Sequence, residues 1–155
     1  MFAKMLVCLD GSKLAEQILP YATEQAVRFK SQVVLLQVYH VPSIIAAAEA
    51  AGTTPSGPNL MKEEIDRREA EAKAYLEGVA GPLQAKGLDV SCVALQGVPG
   101  EAIVAFAQNQ RVDLIALATH GHSGLGRVVF GSIADQVLRG SGLPILIIRP
   151  QDTGT

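Results

Sequence analysis

Five short apolar segments recur along the chain, and segments with helical spacing of their apolar residues separate them. They are rich in Val, Ile and Leu, and they cover residues 4–10, 33–41, 89–95, 112–118 and 144–150. Mostly apolar runs of this length are typical of strands that are buried on both faces of a parallel sheet. Because helices separate them, right-handed crossovers are needed to connect the strands. The alternation predicts an α/β fold with a doubly wound, five-stranded parallel sheet.

Turn-forming residues indicate where the intervening helices begin and end. Ser12 is a good N-cap for the first helix, and we expect Pro20 to bend that helix because proline removes a backbone donor. A long helix is predicted from Asn59, and Gly81-Pro82 is expected to kink or end it. Residues 43–58 change from alanine-rich to turn-forming composition. We interpret them as a mobile connection and a candidate lid.

Length and composition limit the classes of function. A chain of 155 residues predicts one domain, 1–155, with residues 151–155 as a flexible tail. The net charge of −2, the lack of a basic run and the lack of Trp argue against nucleic-acid binding. No apolar stretch approaches the roughly 20 residues of a membrane span, so we expect a cytoplasmic protein. Cys8 and Cys92 are too far apart in sequence for a CxxC motif.

The segment 118–132, ATHGHSGLGRVVFGS, carries the clearest candidate for a binding site. Its glycines allow backbone amides to turn toward one point, and a helix that opens near Ser132 offers further amides to an anion. In doubly wound sheets the ligand crevice lies at the carboxyl ends of the strands, and both Asp10 and this segment leave such ends. The spacing of Ser132 and Asp135 predicts a capping box at the start of that helix. The alternative to a binding site is a long turn of flexible residues in which Ser132 is only a cap.

Other motifs fit this segment poorly. A Walker A loop is excluded because the chain has no Gly-Lys pair, and residues 10–12 replace the glycines of a dinucleotide fingerprint. The sequence GHSGL at 121–125 has its second glycine one residue too early for a nucleophile elbow. His120 and His122 have no nearby cysteine or carboxylate in sequence, so they do not predict a closed metal site.

The chain resembles universal stress proteins. Nucleotide-binding members of that family carry a glycine, two residues, a glycine, nine residues and then Gly-Ser or Gly-Thr. Gly121, the nine residues 122–130 and Gly131-Ser132 match the longer part of this motif. Further similarity lies in VCLDGS, GVPGEAI, DLIALATHG and GLPILIIRP, so it covers essentially the whole chain. Ala118 replaces the first glycine, which places a methyl group where the resemblance implies the ribose and phosphates.

The resemblance implies a Rossmann-like fold of the adenine nucleotide alpha hydrolase type with strand order 3-2-1-4-5. It also implies an adenine-nucleotide site that takes ATP, AMP or a cyclic nucleotide, with Mg²⁺ on the phosphates. Asp10 and the backbone of Val38 are expected at the adenine and ribose, although helix capping and core packing are the alternatives for these two residues. The candidate residues are Leu9, Asp10, Val38, Leu117, Ala118, Thr119, His120, Gly121, His122, Ser123, Gly131, Ser132 and Ile133.

Three functions follow as hypotheses. The first is an ATP-binding sensor or regulator of the stress response with at most slow, incidental hydrolysis, because the sequence shows no positioned general base and no activated nucleophile. The second is an interaction module that binds no nucleotide, which Ala118 favours. The third is an ATP-consuming enzyme. We also expect a homodimer, since the apolar run at the sheet edge offers unpaired backbone to a second chain through Ile145, Leu146, Ile147 and Ile148.

Overall fold

The structure is a computed structural model that describes residues 1–41, 51–52, 58–119 and 131–151. Strands and helices alternate along these ranges, as the apolar periodicity predicts. In chain order they are β1 (Lys4–Leu9), α1 (Lys13–Glu16), α2 (Leu19–Phe29), β2 (Gln32–Tyr39), α3 (Pro58–Ala85), β3 (Val90–Gln96), α4 (Pro99–Asn109), β4 (Leu114–Ala118), α5 (Ser132–Ser141) and β5 (Ile145–Ile148). Each strand lies within two residues of its predicted bounds.

The five strands form one parallel sheet with the order β3-β2-β1-β4-β5, which confirms the predicted fold class and strand order. Alternate residues of each strand face opposite sides of the sheet. Met5 and Val7 of β1 pack with α1, α2 and α3 in one core layer, whereas Leu6 and Cys8 pack with α4 and α5 in the other. The sheet is therefore covered on both sides, which explains why its strands are mostly apolar.

The first crossover contains two helices where one bent helix was predicted. The chain leaves the helical pattern after Glu16, and α2 begins at Leu19 with Pro20 in its first turn. A proline is tolerated there because the first amides of a helix have no intrahelical acceptor. The crossover is therefore divided into two helices and is not one bent helix, and Gln17 is the C-cap of α1.

Helix α3 begins one residue before Asn59 and continues through Pro82 to Ala85, so the prediction that Gly81-Pro82 ends it is wrong. Ala80 and Leu83 on either side of this pair are 2% and 7% exposed and pack in the first core layer. Burial of these side chains offsets the hydrogen bond that proline removes. Gly87, with φ of 85°, follows the helix end.

Two predictions fall largely outside the described ranges. They are the lid at 43–58, of which only 51–52 and 58 are described, and the tail at 151–155, of which only Gln151 is described. Within the described ranges, none of the helices combines the length and hydropathy needed to cross a bilayer.

Candidate functional site

A cleft opens at the carboxyl edge of the sheet between β1 and β4. The two strands pair only as far as Val7 and Ala116, although β1 continues to Leu9 beside β2 and β4 continues to Ala118 beside β5. Beyond this point the chain passes from β1 to α1 on one face, and α5 lies on the other face. The strand order reverses here, and in doubly wound sheets a ligand crevice forms at such a point because the neighbouring crossovers leave on opposite faces. The cleft has a volume of about 200 Å³.

The inner part of the cleft is apolar. Cys8, Leu36 and Leu117 come from three neighbouring strands and face the same side of the sheet, and Pro99 and Ile103 of α4 lie beside them. The full set of described lining residues is Cys8, Leu9, Asp10, Ala15, Leu36, Val38, Pro99, Ile103, Leu117, Ala118, Thr119, Gly131, Ser132, Ile133 and Ala134. A flat apolar group such as an aromatic base is suited to this floor.

The rim that follows β1 is held by hydrogen bonds around Asp10. Its Oδ1 accepts from the backbone N–H of Ser12 at 2.9 Å and from the Ser12 hydroxyl at 2.6 Å. Ser12 Oγ in turn accepts from the Ala15 amide at 3.1 Å, which makes Ser12 the N-cap of α1 as predicted. Gly11 supplies the turn with a φ of 86°. The N-cap is therefore Ser12 and not Asp10, whose carboxylate holds Ser12 in place and also lines the cleft.

The rim that follows β4 contains Ala118 and Thr119. Ala118 is 8% exposed and its methyl group borders the cleft. The Thr119 amide donates to the carbonyl of Ile148 at 2.9 Å, and the Thr119 hydroxyl lies 3.4 Å from the same oxygen. This hydroxyl is therefore directed toward the end of β5.

The third side of the cleft is the N-terminus of α5. Gly131 is the N-cap, with no side-chain cap, and its carbonyl accepts from the Asp135 amide at 3.0 Å. The predicted capping box is wrong, because Ser132 is the first helical residue and Asp135 is one position too late. Among the described residues, no acceptor pairs with the amides of 132–134. Unpaired amides and the positive end of a helix dipole are the features that favour binding of an anion at a helix N-terminus.

Few of the described lining residues carry an ionisable side chain. Cys8 and Asp10 are the ionisable side chains among the described lining residues. Burial raises the pKa of the Cys8 thiol to about 12, so it is neutral at physiological pH and is a poor nucleophile. No lysine or arginine is among the described lining residues, so the donors that these residues offer to an anion are backbone amides and hydroxyl groups. No cluster of three or more metal-ligating side chains occurs in the described ranges.

All the predicted site residues that the structure describes line this one cleft. They are Leu9, Asp10, Val38, Leu117, Ala118, Thr119, Gly131, Ser132 and Ile133. The other four, His120, Gly121, His122 and Ser123, lie outside the described residues.

Sequence reasoning missed six lining residues: Cys8, Ala15, Leu36, Pro99, Ile103 and Ala134. The alternation of side chains along a strand could have identified Leu36, because it lies two residues before Val38 and so faces the same side of the sheet. Cys8 pairs with Leu36 on the neighbouring strand and faces that side as well. No local signal in the sequence indicates that α4 reaches the cleft.

Solved structures share this architecture. That of the universal stress protein MJ0577 from Methanocaldococcus jannaschii matches with a TM-score of 0.76 at 27% identity, covering 99% of both chains. A universal stress protein in complex with cAMP has a TM-score of 0.62 at 21% identity, covering 97% of this chain and 98% of that one. An Arabidopsis thaliana protein of the same family with AMP bound has a TM-score of 0.66 at 16% identity, covering 96% and 92%.

Sequence comparison agrees with the fold. Universal stress protein MJ0531 from Methanocaldococcus jannaschii is 28% identical over 149 residues, which covers 96% of this chain and 83% of that protein. The model of the universal stress protein family matches residues 1–149, which is nearly the whole chain. The chain belongs to the universal stress protein family.

Proposed function

We propose that the cleft binds an adenine nucleotide, with ATP as the preferred ligand, and that the protein acts as a sensor or regulator in the stress response. The observation that carries this proposal is the group of amides at 132–134, which have no acceptor among the described residues and which face an apolar cleft. Structures of family members with cAMP and with AMP support the same ligand class.

The charges around the cleft orient the ligand. The phosphates belong at the N-terminus of α5, where the amides and helix dipole are positive, and away from the carboxylate of Asp10. Asp10 is then placed to accept a hydrogen bond from a ribose hydroxyl, and the base occupies the apolar floor beside Val38. His120, Gly121, His122 and Ser123 are proposed along the phosphates. Mg²⁺ enters on the phosphate oxygens, which are hard ligands suited to it.

We assign no catalytic residue. Asp10 Oδ1 is engaged by Ser12, and the Cys8 thiol stays protonated, so neither is a ready base or nucleophile. Hydrolysis of ATP is then slow and incidental. This agrees with a protein whose output depends on whether nucleotide is bound.

Calorimetry with ATP and Mg²⁺ tests the binding proposal, and Ser132→Pro is the informative variant. Proline is tolerated at the first helical position, and Gly131 before it has φ −54° and ψ 147°, which suits a residue that precedes proline. The substitution removes one amide donor and keeps the helix. We expect Kd to rise roughly ten- to a hundredfold, since a hydrogen bond to a charged group contributes about 1.5–3 kcal/mol.

The matched control is Ser132→Ala, which removes the hydroxyl and keeps the amide. A smaller loss of affinity in this variant assigns the effect to the backbone. If the parent shows no binding heat and no thermal shift with millimolar ATP, the nucleotide proposal is wrong. If the proline and alanine variants bind alike, the amides of α5 are not the anion site.

A second candidate function is a partner-binding module that takes no nucleotide. It is favoured by the Ala118 methyl, which borders the cleft at a position where nucleotide-binding relatives carry glycine. Ala118→Gly distinguishes the two candidates by calorimetry. Binding that appears only in the glycine variant supports the module, whereas equal binding in the parent and the variant supports the nucleotide sensor.

We further propose that the protein is a homodimer through β5. Within the described residues β5 is an edge strand, and Ile145, Leu146, Ile147 and Ile148 are all partly exposed. The amides of Ile115 and Thr119 donate to the carbonyls of Pro144 and Ile148, so even-numbered residues of β5 direct their backbone groups toward β4. The amides and carbonyls of Ile145 and Ile147 point outward and are available to the β5 of a second copy.

A further inference from the structure

The segment after β5 contacts both rims of the cleft. We call residues 148–151 the C-terminal strap. At one end, the carbonyl of Ile148 accepts from the amide of Thr119, which lies on the β4 rim. At the other end, Gln151 contacts Gln17, which belongs to the crossover that follows β1. The strap therefore spans the region where β1 and β4 have stopped pairing.

The contact between Gln17 and Gln151 is reciprocal. Gln17 Nε2 donates to the backbone carbonyl of Gln151 at 2.8 Å, and the backbone N–H of Gln151 donates to Gln17 Oε1 at 2.9 Å. One side-chain amide thus satisfies both backbone groups of a residue 134 positions away, in the manner of a strand neighbour. Two bonds fix the orientation of the amide as well as its distance, so the contact resists both separation and rotation.

Gln17 is joined to the β1 rim by a very short helix. It is the C-cap of α1, and the N-cap of the same helix is Ser12, which is bonded to Asp10. Gln17 and Ser12 therefore cap the two ends of one four-residue helix, and we expect a displacement of Gln17 to reach Ser12 and then Asp10. A continuous series of hydrogen bonds and one helical turn therefore connects Asp10 to Thr119 by way of the strap.

We propose that Gln17 is a positioning residue that sets the width of the cleft by tying the Asp10 rim to the C-terminal strap. This inference rests on the proposed function for its ligand, an adenine nucleotide. The pairing of β1 and β4 ends at Val7 and Ala116, so the ladder between them does not hold the last residues of either strand. Those residues are held on their outer sides by β2 and β5, and the strap links the two rims across the gap. Because it continues directly from β5, nucleotide in the cleft and a second copy on β5 act on the same segment.

Gln151→Pro tests the strap by removing one backbone N–H. Proline removes the N–H that donates to Gln17 and keeps the carbonyl that accepts from it, whereas the control Gln151→Ala keeps both backbone groups. We expect the Ser12 and Ala15 amides, which are bonded to Asp10 and Ser12 Oγ, to exchange hydrogen about three- to tenfold faster in the proline variant only. Unchanged exchange at both amides in Gln151→Pro overturns the proposal.

A second measurement adds the ligand. Gln17→Leu keeps the size of the side chain and removes both of its hydrogen bonds. We expect Kd for ATP with Mg²⁺ to rise about three- to tenfold while the thermal midpoint of the ligand-free variant stays close to that of the parent. By reciprocity, saturating ATP slows exchange of the Gln151 amide in the parent. An equal loss of affinity in Gln151→Ala, or no loss in Gln17→Leu, contradicts the proposal.

The two proposals fail in different ways. If the parent binds no ATP, the proposed function is lost, but the exchange rates of Ser12 and Ala15 still test the strap without ligand. If the parent binds ATP and these rates do not respond to Gln151→Pro, only the role of Gln17 is lost.

Discussion

At the scale of single residues, burial determines what the groups in the cleft do. Cys8 is 9% exposed and lies on the apolar floor, where its thiol stays neutral. Asp10, by contrast, is exposed and hydrogen-bonded at the rim. The cleft therefore has a neutral floor, a carboxylate at one end and helix amides at the other. It favours a ligand that is apolar in the middle and polar at one end.

The raised pKa of Cys8 predicts a loss of stability in alkali. Its pKa rises from an ordinary value of 9.0 to about 12 on folding, because burial disfavours the thiolate. The unfolded state therefore loses its proton first, and the free energy of unfolding falls as the pH rises from about 9 toward 12. Urea denaturation at pH 8, 9.5 and 10.5 measures this decrease.

The control for this prediction is Cys8→Ala. Its overall stability is lower because a buried sulfur atom is removed, but its pH dependence above 9 is expected to be shallower. Some dependence remains, since burial and a hydrogen bond to Glu16 also raise the pKa of Tyr75. Parallel pH profiles for the parent and the variant would contradict the assignment to Cys8.

At the scale of elements, the ends of helices contribute more to the cleft and the strap than the helix interiors do. The break between α1 and α2 makes Gln17 a C-cap, which is what brings its side chain to the strap. Gly131 in place of a side-chain cap leaves the first amides of α5 without a partner among the described residues. One helix end thus supplies a side of the cleft, and another helix end holds the strap.

The C-terminus of α2 allows the effect of a helix end on stability to be tested. Lys30 is its C-cap in the left-handed conformation, with φ 53° and ψ 42°, a region that costs a side-chain-bearing residue energy. We expect Lys30→Gly to raise the free energy of unfolding by about 0.5–1 kcal/mol, because glycine adopts this conformation without that cost. Thermal or urea denaturation measures the change.

Lys30→Ala is the matched control, since alanine loses the charge but keeps the β-carbon. Its stability is expected to stay near that of the parent. If alanine stabilises the protein as much as glycine does, the effect comes from the lysine side chain and the backbone explanation is incorrect.

At the scale of the whole molecule, the edge strand determines assembly. The outward backbone groups of Ile147 belong to the proposed dimer, whereas those of Leu146 face β4. Ile147→Pro removes an outward amide and is tolerated on an edge strand. We expect it to be monomeric at micromolar concentration in sedimentation velocity, with the fold retained.

Two controls accompany this experiment. Ile147→Val keeps the amide and a branched side chain, so it is expected to stay dimeric. Leu146→Pro removes an amide that faces β4 and is expected to destabilise the fold itself. A monomeric parent, or a proline variant at position 147 that still dimerises, rules out the β5 interface.

Much of the site was predictable because parallel topology brings strand ends together. Asp10, Leu117 and Ala118 follow or end apolar runs, so a doubly wound sheet places them on one edge before any contact is known. Predictions that depended on a single turn were less successful. The capping box at Ser132 was wrong, because helices accept either of two adjacent residues as the N-cap and packing chooses between them.

The amino-acid sequence alone determined the strands and helices, because the spacing of apolar residues shows which face of each element is buried. It also located the site at the carboxyl edge of the sheet, because parallel strands end there together. Tertiary structure alone decided that α4 supplies Pro99 and Ile103, that α3 passes through Pro82, and that Gln17 meets Gln151. Each of these depends on a partner far away in sequence, and its free energy comes from burial or hydrogen bonding that exists only once the layers have packed.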